Sequence, residues 1–347
     1  MPGSEVDRTE KRARLQAVRE AAGADALLLT SHEAVSWYLE GVRSHVSLAG
    51  PPVAAVRVDA AGDTLFVADN EADRLIAEEL LPSDAARVVR VPWLTPPADA
   101  AAAAGPAVAE ASVAPALRAA RASLLPAERD RYRALGRDAA TVMTDAAADA
   151  RSEHSERAIA ADLAHRLVAQ GIDPLVILVA GESRLAHRHP LPTDAALGRR
   201  AMLVVCGRRH GLIANVTRWV GASDAGEDAI LRVEAAFLEA TKPGAQLEEV
   251  FAAGTAAYGA EGFGVDEWRR HHQGGPTGYA GRDPRATPST RDLVQEHHAF
   301  AWNPSAPGVK VEDTVIATSD GIEVLTVDHR WPTQRVGSLE RPATRPY

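Results

Sequence analysis

WNPSAPGVKVEDTVIATSDGIEVLT, residues 302–326, is the stretch whose reading decides the fold. KVEDTVIATS and GIEVLTV are rich in β-branched residues and flank Asp320-Gly321, a dipeptide suited to a tight hairpin turn. HAFAWNP, immediately before, reads as a further strand. Glu312 then sits inside a strand between Val311 and Asp313, an odd place for a carboxylate without a partner.

Working back from there, LEEVFAAGTAAYGA has the spacing of a helix, and Asp224 with Glu227 caps another that runs to about Ala240. LIANVTRWV, AMLVVCGRR and PLVILVAG read as strands. SERAIAADLAHRLVAQG is a helix closed by Gly171, and LPAERDRYRALGRDAATVMTDAAADA, from Leu125, is a long amphipathic one. Residues 125–347 are therefore expected to form an α+β domain, with helices on one face of a mostly antiparallel sheet. Residues 1–124 read as a separate α/β domain. There, Asp7 with Glu10 is expected to cap a helix to about Ala22, and DALLLT to form a buried strand. Thr30 with Glu33 is expected to open a short helix through Trp37 and Tyr38, and VAAVRVDA and TLFVAD to pair across Gly62-Asp63. NEADRLIAEELL reads as a helix and ARVVRVPW as a strand. The Ala-rich stretch 95–113 reads either as a peripheral connection or as an exposed helix. No repeat of 20–50 residues is visible.

Composition narrows the function. The chain has 347 residues, enough for one large or two medium domains, with an ordinary 46% hydrophobic and 24% charged residues. A net charge of -9 argues against a nucleic-acid partner. No apolar run is long enough for a membrane span, and the polar start MPGSEVDRTEKRARLQ carries no signal pattern, so a cytoplasmic protein is expected. The single cysteine, Cys206 in LVVCGRR, excludes an intrachain disulfide and reads as a small buried hydrophobe.

Four stretches in order resemble the catalytic domain of the creatinase, prolidase and aminopeptidase P family, the pita-bread fold. They are HPLPTD (189–194), GLIANVTRWV (211–220), HHQGGPTGYAGRD (271–283) and residues 302–326. WYLEG (37–41), after a strand, is similar to the family's N-terminal domain. The resemblance implies a two-domain fold and, in the peptidase branch, two divalent metals held by two Asp, one His and two Glu. This chain departs from that set. Val205 or a neighbour stands for the first Asp, Asn215 for the second and Asn303 for the first Glu, while His272 and Glu312 match. Two dications cannot be held by one carboxylate without large uncompensated charge, so no metal cofactor is expected.

The creatinase branch, by resemblance, breaks a C–N bond with side chains alone, using a histidine matched here by His189. Two prolines follow it and stiffen its loop. His189 is therefore expected as the general base, with Glu312 orienting it or holding a substrate cation, and His272 as a third catalytic residue. Asn215 and Asn303 are expected to bind substrate through their amides, with Tyr279 and Arg282 from the third stretch. Arg43 is the candidate for a contribution from the partner chain of an expected homodimer. His271 and Arg218 are expected to be structural, and Gly274 and Gly275 to permit a turn. The expected activity is metal-independent hydrolysis of a C–N bond in a small polar amidine, guanidine or amide, similar to creatinase or ectoine hydrolase. The alternatives are an Xaa-Pro peptidase with one atypical metal, a lyase on the same fold, and an inactive binding protein. His189→Ala and Glu312→Gln are each expected to abolish turnover with the fold intact.

Overall fold

The computed structural model describes residues 3–347; residues 1 and 2, where the N-terminal domain is set to begin, lie outside them. The chain divides into two compact units, one up to Arg131 with His210–Leu212, the other Tyr132–Arg209 with Ile213–Tyr347. The division falls inside a long helix, after Arg131, where the sequence reading sets it at 124/125.

The first unit runs α1 (Glu5–Ala21), β1 (Ala26–Leu29), α2 (His32–Tyr38), β2 (Ala54–Asp59), β3 (Asp63–Ala68), α3 (Asp69–Glu78), α4 (Pro82–Ala85), β4 (Val88–Val91), α5 (Pro97–Ala103), β5 (Val108–Ala109) and α6 (Ala114–Ala122). Its sheet has the order β4-β3-β2-β1-β5; β1 and β3 are antiparallel to β2, while β4 and β5 join in parallel. Three expectations are corrected. Ser4, not Asp7, caps α1, its hydroxyl accepting from the Asp7 amide at 3.2 Å. Ser31, not Thr30, caps α2; the Thr30 amide and hydroxyl go to Glu110 instead. The stretch 95–113 contains the helix that one of its two readings gives, α5, but it is not a peripheral connection. Ala101 is fully buried against Leu28, Ala55, Phe66 and Val91, and residues 108–109 complete the sheet. An alanine-only face lets α5 approach the strands closely, which composition alone makes look like a linker.

The second unit runs α7 (Pro126–Asp149), α8 (Glu156–Ala169), β6 (Asp173–Ala180), β7 (Arg200–Arg209), β8 (Leu212–Gly221), α9 (Glu227–Ala240), α10 (Leu247–Ala260), β9 (Gly274–Pro276), β10 (His298–Trp302), β11 (Ser305–Ala306), β12 (Val309–Lys310), β13 (Val315–Thr318), β14 (Gly321–Val324), β15 (Thr333–Val336) and β16 (Leu339–Pro342). Its strands form separate small sheets, chiefly β6-β7-β8 and β14-β13-β10-β9, rather than one. The hairpin at Asp320-Gly321 pairs β13 with β14 as expected. α9 and α10 cover this core: Phe237 stacks on Trp302 with ring centroids 4.6 Å apart, and Tyr258, Phe300 and Val315 join them. Fully burying each such ring stabilises by about 2–3 kcal/mol. β8 is tied to the segment before β13 by an isolated bridge, in which the Thr217 amide donates to the Glu312 carbonyl at 2.9 Å.

Candidate active site

Glu312 owes its direction to the residue after it. Side chains alternate along an extended chain, so Asp313 points the opposite way. Its carboxylate accepts from Arg218 (2.8 Å), Arg341 (2.8 Å) and the Thr326 hydroxyl (2.5 Å), and Arg341 is held again by Glu234. This buried network holds the strand in register, and Arg218 is structural as expected. Glu312 is thereby presented on the other side, 1% exposed.

Its carboxylate is fully engaged there. Arg282 Nη2 donates to Oε1 at 2.6 Å, Lys310 Nζ lies 3.1 Å from Oε2, and the Thr217 hydroxyl donates to Oε2 at 3.3 Å. Burial alone would raise the Glu312 carboxyl, but the charges and hydrogen bonds of Lys310 and Arg282 outweigh it and hold the group below the usual carboxylate range. Glu312 is thus bonded to Arg282, Lys310 and Thr217 and not to His189, which its charge reaches only through space. Lys310 is a site residue that the sequence reading misses. Its signal is there to be read: it stands two residues before Glu312, on the same side of an extended chain, between two valines.

Three imidazoles gather nearby. His189 is exposed on its loop, His272 is half-buried and His271 is 9% exposed; one ring nitrogen of each lies within 4.8 Å of the others. His189 Nε2 is 3.1 Å from His271 Nε2, so one nitrogen carries the shared hydrogen and the other accepts it. His271, expected to be structural, is thus the group that meets His189. The loop bearing His189 is pinned at both ends. The buried Glu156 carboxylate accepts from the Gly181 amide (2.8 Å), the Thr193 amide (2.9 Å) and the Thr193 hydroxyl (2.7 Å). Arg188 pairs with Glu267, four residues before His271, and donates to the Ser305 hydroxyl at 3.1 Å. On the other side, Gln273 donates to the His271 carbonyl at 2.7 Å and accepts from the Tyr258 hydroxyl at 2.7 Å. Gly274 follows at φ 92°, where a Cβ would lie 2.1 Å from the Ala301 carbonyl oxygen, so only glycine lets β9 close on β10 here.

All three imidazoles are pushed toward the neutral form. Burial, then the Lys310 charge, lowers His189; burial, Lys310 and the neighbouring rings take His271 down to about 2. Burial, Arg282 and Arg285 take His272 down to about 3. The cluster is then neutral in its rings, with Lys310, Arg282 and Arg285 around it against the one carboxylate of Glu312, a clear excess of positive charge.

The remaining expected residues are placed as follows. Asn215 is buried in β8; its amide nitrogen donates to the Thr277 hydroxyl at 3.2 Å and its oxygen accepts from Arg282 at 3.4 Å. Asn303 is 2% exposed, and its side-chain oxygen has no partner. Tyr279 is buried in the loop after β9. Arg43 stands in the first unit, paired with Glu79 at 2.5 Å. Cys206 lies in β7, and burial pushes its thiol up to about 12, which suits packing and not nucleophilic attack.

The donor set does not fit the two-metal centre that the resemblance implies. Glu312, its one carboxylate, is neutralised by two cations, Asn215 is spent on Thr277 and Arg282, and Val205 offers no ligand.

Solved structures share this fold at low identity. The dipeptidase PepE from Mycobacterium ulcerans is 19% identical over 100% of both chains, with a TM-score of 0.77. The prolidase from Pyrococcus horikoshii OT3 is 17% identical over 92% of this chain and 99% of its own, with a TM-score of 0.74. The N-terminal domain of the FACT complex subunit SPT16 from chickpea, 12% identical over 92% of this chain and 95% of its own, also superposes, with a TM-score of 0.68. No curated protein matches the sequence. Among the described residues no helix is long and apolar enough to cross a membrane. The sequence model of metallopeptidase family M24 matches residues 130–319, more than half of the chain and every residue of the cluster. The chain therefore belongs to metallopeptidase family M24, a family of peptidase-type hydrolases.

Proposed function

We propose that this protein hydrolyses a C–N bond in a small anionic compound without a metal, with His189 as general base. The observation that carries the reading is the state of Glu312: bonded to both Arg282 and Lys310, it leaves a cationic pocket beside neutral imidazoles. Such a pocket suits a substrate that carries a carboxylate together with an amide, amidine or guanidine group. Lys310 and Arg282 attract the carboxylate, and the Nε hydrogen of Arg282, buried without a partner, is a further donor. The partnerless oxygen of Asn303 accepts an N–H of the scissile group.

The chemistry follows from the His189–His271 contact. With His189 donating from Nε2 to His271 Nε2, its Nδ1 lone pair is left to take a proton from water. The hydroxide equivalent adds to the carbon, and negative charge develops beside Lys310 and Arg282. His189 then returns its proton to the departing nitrogen, and His271 stabilises the intermediate imidazolium through the shared hydrogen bond. A homodimer is the assembly we expect, which light scattering tests. The test of function is a screen of N-carbamoyl, N-amidino and N-acyl amino acids and Xaa-Pro dipeptides with chelator-treated protein. Turnover that survives chelator and vanishes in His189→Ala supports the reading. Turnover only of Xaa-Pro dipeptides, and only with added metal, would replace it with the peptidase alternative. Tight binding without turnover would favour a binding protein.

A further inference from the structure

From the His189–His271–His272 cluster we infer a single-ion site of another kind: three imidazoles that take one first-row transition dication, whose occupancy shuts off the base. The inference rests on the reading of His189 as that base. The geometry is close to what such an ion needs. In a tetrahedral site with Zn–N of about 2.05 Å, ligand nitrogens stand about 3.3 Å apart. His189 Nε2 and His271 Nε2 are already 3.1 Å apart, and a nitrogen of His272 is within 4.8 Å of both.

Little else must change. The dication replaces the hydrogen shared by the two Nε2 atoms, and His189 carries its hydrogen on Nδ1 instead, which its exposed ring allows. His272 Nδ1 is buried without a hydrogen-bond partner, so no hydrogen bond at that atom has to break for the ring to turn a lone pair to the ion. The charges nearby decide which ions qualify. Lys310, Arg282 and Arg285 repel any dication, and Glu312 offsets only one of them. Hard ions that rely on carboxylates, such as Mg²⁺ and Mn²⁺, gain nothing from this donor set, whereas Zn²⁺, Ni²⁺ and Cu²⁺ bind neutral imidazole well. The selectivity is thus the reverse of that expected for a carboxylate-bridged pair of metals.

The test is titration calorimetry of the chelator-stripped full chain with ZnCl₂, NiCl₂, MnCl₂ and MgCl₂, alongside visible absorption with Co²⁺. One equivalent of Zn²⁺ is expected per chain, with tetrahedral Co²⁺ bands and no detectable Mn²⁺ or Mg²⁺. His189→Ala, on an exposed loop, and His272→Ala should each weaken Zn²⁺ at least tenfold, and Lys310→Met should tighten it by removing a repelling charge. No Zn²⁺ binding, or binding undiminished in both histidine variants, overturns the site and leaves the proposed hydrolysis standing. Zn²⁺ should inhibit turnover with the concentration dependence of its binding. Activation by Zn²⁺ would overturn the inhibitory role and the metal-independent reaction together, while the calorimetry still reports the site.

Discussion

Replacing Glu312 by Gln keeps the shape of the side chain and removes the one carboxylate that Arg282 and Lys310 share. The two ion pairs broken by the change span 2.6 Å and 3.1 Å. At an effective dielectric constant of about 20, each amounts to roughly 5–6 kcal/mol of Coulomb attraction, much of it offset by the cost of taking the ions out of water. What remains after the substitution is a lysine 6% exposed and an arginine whose side chain is 14% exposed, both without a counter-charge. Stranding a buried charge in this way costs about 3–5 kcal/mol. Glu312→Gln should therefore destabilise the second unit by that amount, contrary to the expectation from sequence that the fold stays intact. Urea unfolding followed by tryptophan fluorescence reads it directly, since Trp302 and Trp219 are buried in this unit. Lys310→Met combined with Glu312→Gln removes one stranded cation, so the pair should recover at least about 1 kcal/mol relative to the sum of the single effects. A cost for Glu312→Gln under about 1 kcal/mol, or strictly additive behaviour of the two substitutions, would refute the argument that Glu312 is bound up in compensating Lys310 and Arg282.

Other outcomes follow from the same structure. His189→Ala should lower turnover by roughly 10²–10⁴-fold with unchanged urea stability, while Cys206→Ala, a packing thiol, should change activity little; steady-state rates on a substrate from the screen decide between them. The acid limb of kcat/KM should fall below pH ~6.5, because burial and Lys310 lower the His189 pKa from its usual value. Stability should also depend on pH in a defined window. His271, His272 and His298 stay neutral in the folded chain, with pKa values near 2, 3 and 4, all lowered chiefly by burial, so below pH ~6.5 the unfolded chain binds protons that the folded chain does not. Stability is then intact above pH ~6.5 and falls by about 1.4 kcal/mol per pH unit for each of the three, measurable by urea unfolding between pH ~6.5 and ~4.5. Gly136→Ala should destabilise strongly despite its helical setting, since a Cβ there would lie 2.6 Å from the Leu325 carbonyl oxygen; a thermal unfolding scan checks it.

The elements and their order are legible in the sequence because they rest on local periodicity: the strands of 302–326, the helices α7 to α10 and the hairpin at Asp320-Gly321 each carry their own pattern. Glu312 as a carboxylate needing a partner is legible for a similar reason, since residue type and position suffice, whereas the gathering of His189, His271 and His272 is not. The helix caps are less so, because Ser4 and Asp7, or Ser31 and Thr30, offer the same chemistry within one turn and only the chain path chooses. The partners of the charges are not legible at all. Arg282 reaches Glu312 across 30 residues, and His189 meets His271 across 82. Lys310 becomes a neighbour of three imidazoles only once the loop at 189 is tied down by Glu156 and by the Arg188–Glu267 pair. Charge and spacing in the sequence determined which groups were available; the tertiary structure decided which of them neutralise one another, because Coulomb energy depends on distances that no local pattern encodes.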